Sequence, residues 1–309
     1  MSYEVGDVLG VYPKNDPELV DELIDQLSLD PNEPIGDATL RELLIQRYDV
    51  RAISQSLLKE WPVPAEGDYH ELIDLAMATK PSFKDGKTFV ALLRKLGPRL
   101  YSISSSPVAH PNEVHLTVAK VNYDFDGRPR KGVCSTYLAD RVNGDGTVPI
   151  FLQTAKHFKL PTEHSAPVIM VGPGTGIAPF RAFLEERAAS KAPGKNWLFF
   201  GNPHEATDWF YREEFEFMRE RGILNELSTA WSRDQDTKVY VQDRMREAGA
   251  KLWQWLEEGA HVYVCGDAKR MAKDVDRALH DLVETHGKVD AAAYVAEMKK
   301  AKRYQRDVY

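Results

Sequence analysis

After residue 165 the sequence alternates between short apolar stretches and longer amphipathic ones. "APVIMVG" precedes "APFRAFLEERAAS", "NWLFFGNP" precedes "DWFYREEFEFMRERG", and "HVYVCGD" precedes "KRMAKDVDRALHDLVETHG". Strands that are separated by helices are joined by crossover connections, and such strands pair in parallel. The pattern therefore predicts an α/β domain with a parallel sheet over residues 165–309.

Residues before 165 follow a different pattern. The period-2 runs "DVLGVYP", "RLYSISS", "NEVHLTVAKVNY" and "TVPIFLQT" are typical of strands that are separated by Gly, Pro and Asn turns. Between the first two lies a helical stretch, which opens at "NDPELVDELIDQL" with Asp16 as N-cap and Pro17 at the first helical position. We predict an antiparallel β-barrel domain over residues 1–164, with a helical insertion at about 14–97.

Composition excludes several functional classes. The formal net charge of −7 argues against nucleic-acid binding, which usually requires a basic surface. No apolar run is long enough for a membrane span, and we see no signal peptide. Two cysteines are too few for a disulfide framework, and we find no metal-binding motif. We expect a cytoplasmic enzyme that binds neither nucleic acid, membrane nor metal.

The stretch "VIMVGPGTGIAPFRAF" predicts a strand, a tight turn and the start of a helix. Backbone N–H groups in this geometry face an anion. A P-loop is excluded because no Gly-Lys-Ser/Thr follows. The usual G-x-G-x-x-G fingerprint fails as well, since Gly172 and Gly174 are followed by Gly176 rather than by a glycine at position 177. The turn therefore predicts a phosphate site that differs from the ordinary NAD type.

Two further stretches contain groups that could bind a cofactor. "RLYSISS" offers the cation of Arg99, the aromatic ring of Tyr101 and the hydroxyl of Ser102 within four positions. Such a set can stack an aromatic ring system and neutralise a phosphate. Taken alone, the stretch is better explained as a barrel strand with a half-exposed tyrosine, and the next stretch shifts the balance towards a cofactor site. In "KGVCSTYLAD", Gly132 lets the backbone approach a ligand, and the helix start that follows can hold a pyrophosphate.

These motifs, together with "SRDQDTKVYVQD", "VYVCGDAKRMAKDV" and the closing "YQRDVY", occur in the order found in ferredoxin–NADP reductase-like modules of diflavin reductases. The chain resembles this family over essentially its whole length. It is most similar to the flavoprotein branch of NADPH–sulfite reductases and more distantly to NADPH–cytochrome P450 reductases. The resemblance implies that the first domain binds FAD and the second binds NADPH.

The resemblance also implies roles for individual residues. The expected FAD-binding residues are Arg99, Tyr101, Ser102, Ser104, Gly132, Val133, Cys134, Ser135 and Thr136. The expected NADPH pyrophosphate turn consists of Gly172, Gly174, Thr175 and Gly176, and Asp267 is a further expected cofactor-binding residue.

Cofactor choice depends on "SRDQDTKVYVQD". Ser232, Arg233, Lys238, Tyr240 and Gln242 can surround the 2′-phosphate of NADPH, where NAD-specific sites place a carboxylate. A solvated charged loop is the alternative interpretation, and the upstream glycine turn favours the NADPH site.

The expected reaction centre combines distant positions. Cys265 follows an apolar strand at the edge where open α/β sheets bind ligands, although a lone cysteine on a strand is often a small buried hydrophobe. The resemblance implies that Ser102, Cys265 and Asp307 line the site where nicotinamide meets flavin. It also implies that Tyr309 stacks on the flavin and moves when nicotinamide enters; a frayed terminus is the alternative.

Family relatives have two further barrel strands, and usually an FMN domain, before the point that corresponds to Tyr3. A barrel without these strands has an unpaired edge, so we expect FAD retention to be affected. We expect an enzyme that passes electrons from NADPH through FAD to an FMN or flavodoxin-like partner, and from there to a sirohaem sulfite reductase subunit. Two alternatives stay open: an NADP(H)-binding fragment without stable FAD or turnover, and a reductase for another acceptor such as a P450-type haem protein.

Overall fold

The computed structural model describes residues 2–64, 67–144 and 146–309. The strands are β1 Val8–Val11, β2 Pro34–Ile35, β3 Ala38–Thr39, β4 Arg99–Ser102, β5 Asn122–Phe125, β6 Arg128–Lys131, β7 Ile150–Gln153, β8 Val168–Val171, β9 Asn196–Asn202, β10 Glu226–Trp231, β11 His261–Gly266 and β12 Tyr304–Val308. The α-helices are α1 Pro17–Gln26, α2 Leu40–Gln46, α3 Gln55–Glu60, α4 Leu72–Thr79, α5 Gly86–Leu92, α6 Val133–Thr136, α7 Ala178–Ala189, α8 Glu205–Asp208, α9 Arg212–Glu220, α10 Val241–Glu247, α11 Gly249–Glu257, α12 Met271–Leu282 and α13 Ala291–Lys300. A 3₁₀ turn spans Gly174–Ile177, and π-helical turns span Tyr137–Arg141 and Val283–Gly287.

The chain divides into two compact units. One, here called the sheet unit, consists of Met1–Leu9, Tyr101–Val118 and Leu152–Tyr309. The other, the helical unit, consists of Gly10–Leu100 and Ala119–Phe151. The functional division at residue 164 stays a prediction.

The sheet unit contains a five-stranded sheet in the order β10-β9-β8-β11-β12. Every neighbouring pair of these strands is parallel. Side chains alternate between two cores: Val168 and Met170 pack into one cluster, and Ile169 and Val171 pack into the other. Burial on both faces explains why the strand "VIMV" is apolar throughout. The predicted α/β domain with a parallel sheet is confirmed.

A buried ion pair lies in the first segment of the sheet unit. Asp7 accepts hydrogen bonds from the backbone N–H groups of Glu4 and Ala155, both 2.9 Å, and from Lys159 Nζ at 2.6 Å. Burial by itself raises the pKa of the Asp7 carboxyl, but the lysine and the two N–H groups outweigh it and hold this pKa below its ordinary value. The charged form of Asp7 therefore stabilises the folded state.

The helical unit is built around helices α1 to α5. Asp16 caps α1 by accepting from the N–H of Glu18 at 3.2 Å, and Pro17 occupies the first turn as predicted. Leu23 and Leu27 are buried in the core of this unit, whereas Leu19 packs at its margin. The predicted helical insertion is confirmed.

Antiparallel pairing appears in the N-terminal half, where β5 and β6 form a hairpin. Strands β4, β1 and β7 form a three-stranded sheet in that order. The period-2 run over 112–123 is a strand only from Asn122 onwards, since among the described residues before it Leu116 alone bridges to a neighbour, Ile103. A ladder requires a hydrogen-bonded neighbour along its length, so alternation alone overpredicted this strand. Among the described residues, no helix is both long and apolar enough to cross a membrane.

Candidate active site

The glycine turn connects β8 to α7. Gly174 has φ +57°, in the left-handed region that favours glycine. A Cβ on Gly176 would overlap the backbone carbonyl of Cys265, so only glycine allows the turn to lie this close to the end of β11. The turn thus presents backbone rather than side chains at the carboxyl edge of the sheet, where ligands bind in this type of fold.

A cleft of about 490 Å³ opens beside this turn. Its walls include five residues that the sequence analysis selected: Gly174, Ser232, Tyr240, Gln242 and Asp267. The volume lies within the range that is usual for ligand sites. The structure therefore brings together residues of the glycine turn, of the "SRDQDTKVYVQD" segment and of the segment after β11.

Asp267 acts locally as a helix cap within this cleft. Its Oδ2 accepts from the N–H groups of Arg270 at 2.7 Å and Met271 at 3.1 Å, at the start of α12. These hydrogen bonds to the charged form lower the pKa of the Asp267 carboxyl. The carboxylate thus fixes the backbone of the segment from which Arg270 projects.

The two cations predicted to bind a 2′-phosphate are solvent-exposed, and their role stays a prediction. Arg233 and Lys238 are exposed and are not among the residues that line the cleft, whereas Arg270 lines it. The segment around Arg233 is held by Asp234, which bonds to His204 Nδ1 at 2.8 Å. Sequence reasoning missed Arg270; the available signal was a basic residue directly after a strand of the predicted parallel sheet.

Ser102, Cys265 and Asp307 meet within the sheet unit. Ser102 Oγ donates to Asp307 Oδ2 at 2.9 Å, and Asp307 is the register partner of Cys265 in the pairing of β11 with β12. Cys265 is fully buried. Burial raises the pKa of its thiol, the negative charge of Asp307 raises this pKa further, and the hydrogen bond with Ser102 offsets only a part. Cys265 is therefore a neutral thiol beside a carboxylate.

Tyr309 follows the last strand and is 66% exposed. Its backbone N–H donates to Gly266 O at 3.1 Å, and its carbonyl accepts from Ala268 N at 3.0 Å. Its hydroxyl is hydrogen-bonded to the hydroxyl of Thr175, with Oη and Oγ1 3.0 Å apart. These contacts attach the residue to the glycine turn and to the end of β11, which differs from a frayed terminus.

The predicted pyrophosphate loop lies in the helical unit, where Gly132 precedes α6. Thr136 Oγ1 donates to Gly132 O at 2.7 Å, and Ser135 Oγ accepts from Val121 N at 3.1 Å. Because Ser135 accepts in that contact, its hydroxyl hydrogen can donate to a ligand. Cys134 is buried, and the carbonyl of Val133 accepts from the side chain of a neighbouring arginine.

The remaining predicted FAD residues lie on and after β4. Arg99 is exposed and donates to the carbonyls of Gly97 at 2.9 Å and Pro98 at 3.4 Å. Tyr101 is half-buried. Ser104 is fully buried, and its Oγ has no hydrogen-bond partner among the described residues. A buried hydroxyl of this kind is rare unless a ligand or water completes it, which fits a cofactor near β4.

Comparison with known proteins adds two family models. Residues 40–137 match the FAD binding domain, and residues 170–277 match the oxidoreductase NAD-binding domain. Proteins named sulfite reductase (NADPH) flavoprotein alpha-component from Salmonella arizonae and Cronobacter sakazakii are 46% identical to this chain, and one from Escherichia coli is 45% identical. Each alignment covers 100% of this chain.

The chain is similar over its whole length to sulfite reductase flavoprotein alpha-components. It spans 55% of the length of the relatives it matches. The matched domains are those of an FAD- and NAD(P)-binding oxidoreductase, so the family and cofactor classes predicted from the motifs are confirmed. The roles of individual site residues stay predictions.

Proposed function

We propose that this chain transfers hydride from NADPH to bound FAD. The observation that carries the proposal is the cluster of Ser102, Cys265 and Asp307, which lies at the same sheet edge as the glycine turn. A nucleotide held by the cleft beside that turn would have its reactive ring within reach of this cluster. The functional division would be an FAD-binding domain over 1–164 and an NADP-binding domain over 165–309.

The residues present fit both cofactors. For NADPH, the turn of Gly172, Gly174, Thr175 and Gly176 supplies backbone donors, and Arg270 supplies a cation in the cleft. For FAD, within the helical unit, Arg99 supplies a cation whose side chain donates to the carbonyls of Gly97 and Pro98, and Ser135 supplies a hydroxyl that accepts from Val121 N and can donate to a ligand. When bound, FAD is the hydride acceptor.

The role of the protein in this step is to position groups and to provide a fixed field. Asp307 carries a negative charge, and the hydrogen bond from Ser102 Oγ fixes the orientation of its carboxylate. A carboxylate in this position stabilises the positive charge that develops on a nicotinamide as hydride leaves. Cys265 contributes a neutral, fully buried thiol that excludes water, and no covalent bond to its sulfur is required.

We further propose that the electrons pass to an FMN-bearing domain or flavodoxin-like partner and on to a sirohaem subunit that reduces sulfite. The support comes from the relatives, which are named as flavoprotein components of NADPH sulfite reductase. A cytoplasmic location accords with two buried cysteines that are not joined in a disulfide. An acceptor such as a P450-type haem protein is the competing proposal, which rests on the more distant resemblance alone.

Stopped-flow mixing of the purified chain with NADPH tests the proposal. We expect the flavin absorbance of the oxidised chain to bleach in a rapid phase, and candidate acceptors added afterwards to restore it. A chain that binds NADP⁺ but contains no flavin, and does not take up added FAD, would instead support the binding-fragment alternative. Retention of flavin without bleaching by NADPH would contradict the hydride-transfer assignment.

A further inference from the structure

Two histidines and a glutamate lie together on the loop that follows β4 in the sheet unit. One possible ligand atom from each of His110, Glu113 and His115 lies within 4.8 Å of the other two. His115 Nε2 is 2.8 Å from Glu113 Oε2, and His110 Nδ1 is 4.0 Å from the same oxygen. The imidazole ring centroids are 4.3 Å apart. These three side chains therefore face one small volume at the surface.

A buried carboxylate fixes the orientation of the first imidazole. His110 Nε2 is 3.0 Å from Glu185 Oε1, and the Glu185 side chain is only 7% exposed. A carboxylate accepts, so Nε2 of His110 carries the hydrogen and Nδ1 presents its lone pair towards Glu113. Metal-binding histidines typically have this arrangement, with the second ring nitrogen held by a carboxylate.

The loop is also held in shape without an ion. Ser106 Oγ accepts from the N–H groups of Val108 at 3.1 Å and Ala109 at 3.2 Å, and Ser106 O accepts from His110 N at 2.9 Å. The hydroxyl of Ser106 in turn donates to Glu186 Oε2 at 2.6 Å. Ligand groups on such a preformed loop lose little conformational entropy when an ion binds.

The local charge is favourable for a cation. Glu185 and Glu113 contact the histidines, and the neighbouring cation, Arg181, is paired with Glu185 through Nη2 at 2.9 Å and with Glu214 through Nε at 2.7 Å. Three carboxylates therefore lie around one guanidinium. An added divalent cation would reduce this excess of negative charge.

We propose that His110, Glu113 and His115 form a binding site for a borderline divalent transition-metal ion, with Zn²⁺ as the first candidate. Two imidazoles and one carboxylate are a ligand set suited to such an ion, and water would complete the coordination. The ligands would be His110 Nδ1, Glu113 Oε2 and His115 Nε2.

One contact sets the expected affinity. Arg181 Nη1 donates to His115 Nδ1 at 3.1 Å, which places the proton of a neutral His115 on Nε2. Metal binding at Nε2 moves this proton to Nδ1 and breaks the hydrogen bond from Arg181. Two N–H groups would then face each other, so the imidazole ring and the guanidinium must move apart, which costs part of the binding free energy. We therefore expect micromolar rather than tighter affinity.

Calorimetric titration of the chelator-treated, untagged chain with Zn²⁺ tests the site. We expect one ion per chain, and a loss of affinity of at least about tenfold in His110→Gln and in Glu113→Gln. His157→Gln removes an exposed histidine elsewhere and is the matched control, which we expect to bind as the parent does. Circular dichroism of each variant checks that it is folded.

A second readout identifies the ligand atoms. Cu²⁺ bound to the parent chain should give an electron paramagnetic resonance spectrum with hyperfine structure from two imidazole nitrogens, reduced to one in His110→Gln. Glu185→Gln keeps the three ligands but removes the charged partner of His110, and we expect about tenfold weaker Zn²⁺ binding. Stoichiometric binding that is unchanged in His110→Gln and Glu113→Gln, or no saturable binding by the parent, would overturn the proposal.

Discussion

The hydrogen bond between Ser102 and Asp307 can be tested by a double-mutant cycle. The variants are Ser102→Ala, Asp307→Asn and the combination of both. The structure shows one direct bond of 2.9 Å between the two side chains, each half-buried. If the pair acts as a unit, the effects of the single substitutions will not add in the double variant.

The size of the coupling follows from the type of bond. A hydrogen bond from a hydroxyl to a carboxylate contributes about 1.5–3 kcal/mol, and half-burial places this one near the lower end. A coupling of about 1.5 kcal/mol corresponds to roughly tenfold in a rate constant. In thermal unfolding, Ser102→Ala should lower the Tm by about 3–6 °C, given about 2–4 °C for each kcal/mol in domains of this size.

Two assays separate stability from catalysis. Thermal unfolding measures how far the two side chains are coupled in stabilising the folded state. Stopped-flow reduction of the flavin by NADPH measures how far they are coupled in the rate constant of hydride transfer. Ser82→Ala is the matched control, because it makes the same chemical change to an exposed serine outside the predicted site. Its Tm should change little, since substitutions at exposed positions usually have small effects.

Additivity would refute the reasoning. If the double variant shows the sum of the single effects on the rate constant, within about 0.5 kcal/mol, then Ser102 does not act through Asp307. If the two substitutions are coupled in their effect on the Tm but additive in their effect on the rate constant, the hydrogen bond serves folding alone and has no part in hydride transfer.

Further predictions concern other parts of the site and the fold. Replacing Arg233 and Lys238 together by alanine should weaken NADPH binding by at least about tenfold and leave NADH binding nearly unchanged, because charge-assisted contacts contribute about 1.5–3 kcal/mol each; equal losses, measured by titration, would contradict a role in reading the 2′-phosphate. Cys265→Ala should slow flavin reduction by about ten- to a hundredfold at unchanged NADPH affinity, and the native thiol, whose pKa is raised by burial, should resist alkylation at pH 8. Removal of Tyr309 should improve the use of NADH more than that of NADPH in steady-state assays; an unchanged ratio would show that the ring does not compete with nicotinamide. Asp7→Asn should destabilise the chain by about 1.5 kcal/mol in urea unfolding at pH 7, because it removes the charge-assisted hydrogen bond from Lys159, which keeps only its 3.1 Å contact with exposed Glu4. Since the folded pKa of Asp7 is lowered, its contribution in the parent is present above the ordinary carboxyl pKa of about 3.9 and is lost as the pH falls below it.

Much of the sheet unit could be predicted from the sequence because its signals are local and redundant. Strand β8 is apolar at every position and is followed by a glycine turn and a helix, and each feature alone indicates a crossover unit. Helix α1 was equally predictable, since Asp16 and Pro17 mark its start. The prediction of a strand over 112–123 was mostly wrong, because strand formation requires a neighbouring strand to pair with and the local sequence does not encode that neighbour.

The candidate site was predictable only in part. That Ser102 and Asp307 meet was expected from family resemblance, and no rule of spacing connects residues 205 positions apart. Arg270 was missed because its position in the cleft depends on the cap by Asp267. The cluster around His110 escaped notice because Glu185, its buried partner, lies on a distant helix.

The sheet unit is formed by three separate segments of the chain, which limits where the protein can be cut into fragments. The segment matched by the oxidoreductase NAD-binding model ends at residue 277, before β12, and the segment that carries Ser102 belongs to a separate stretch, Tyr101–Val118. A fragment cut at the limits of the matched model would keep Cys265 but would lose both Asp307 and the serine that orients it. A chimaera that exchanges nucleotide specificity between relatives must therefore transfer these separate segments of the chain together. Otherwise it combines the binding cleft of one protein with the reaction centre of another.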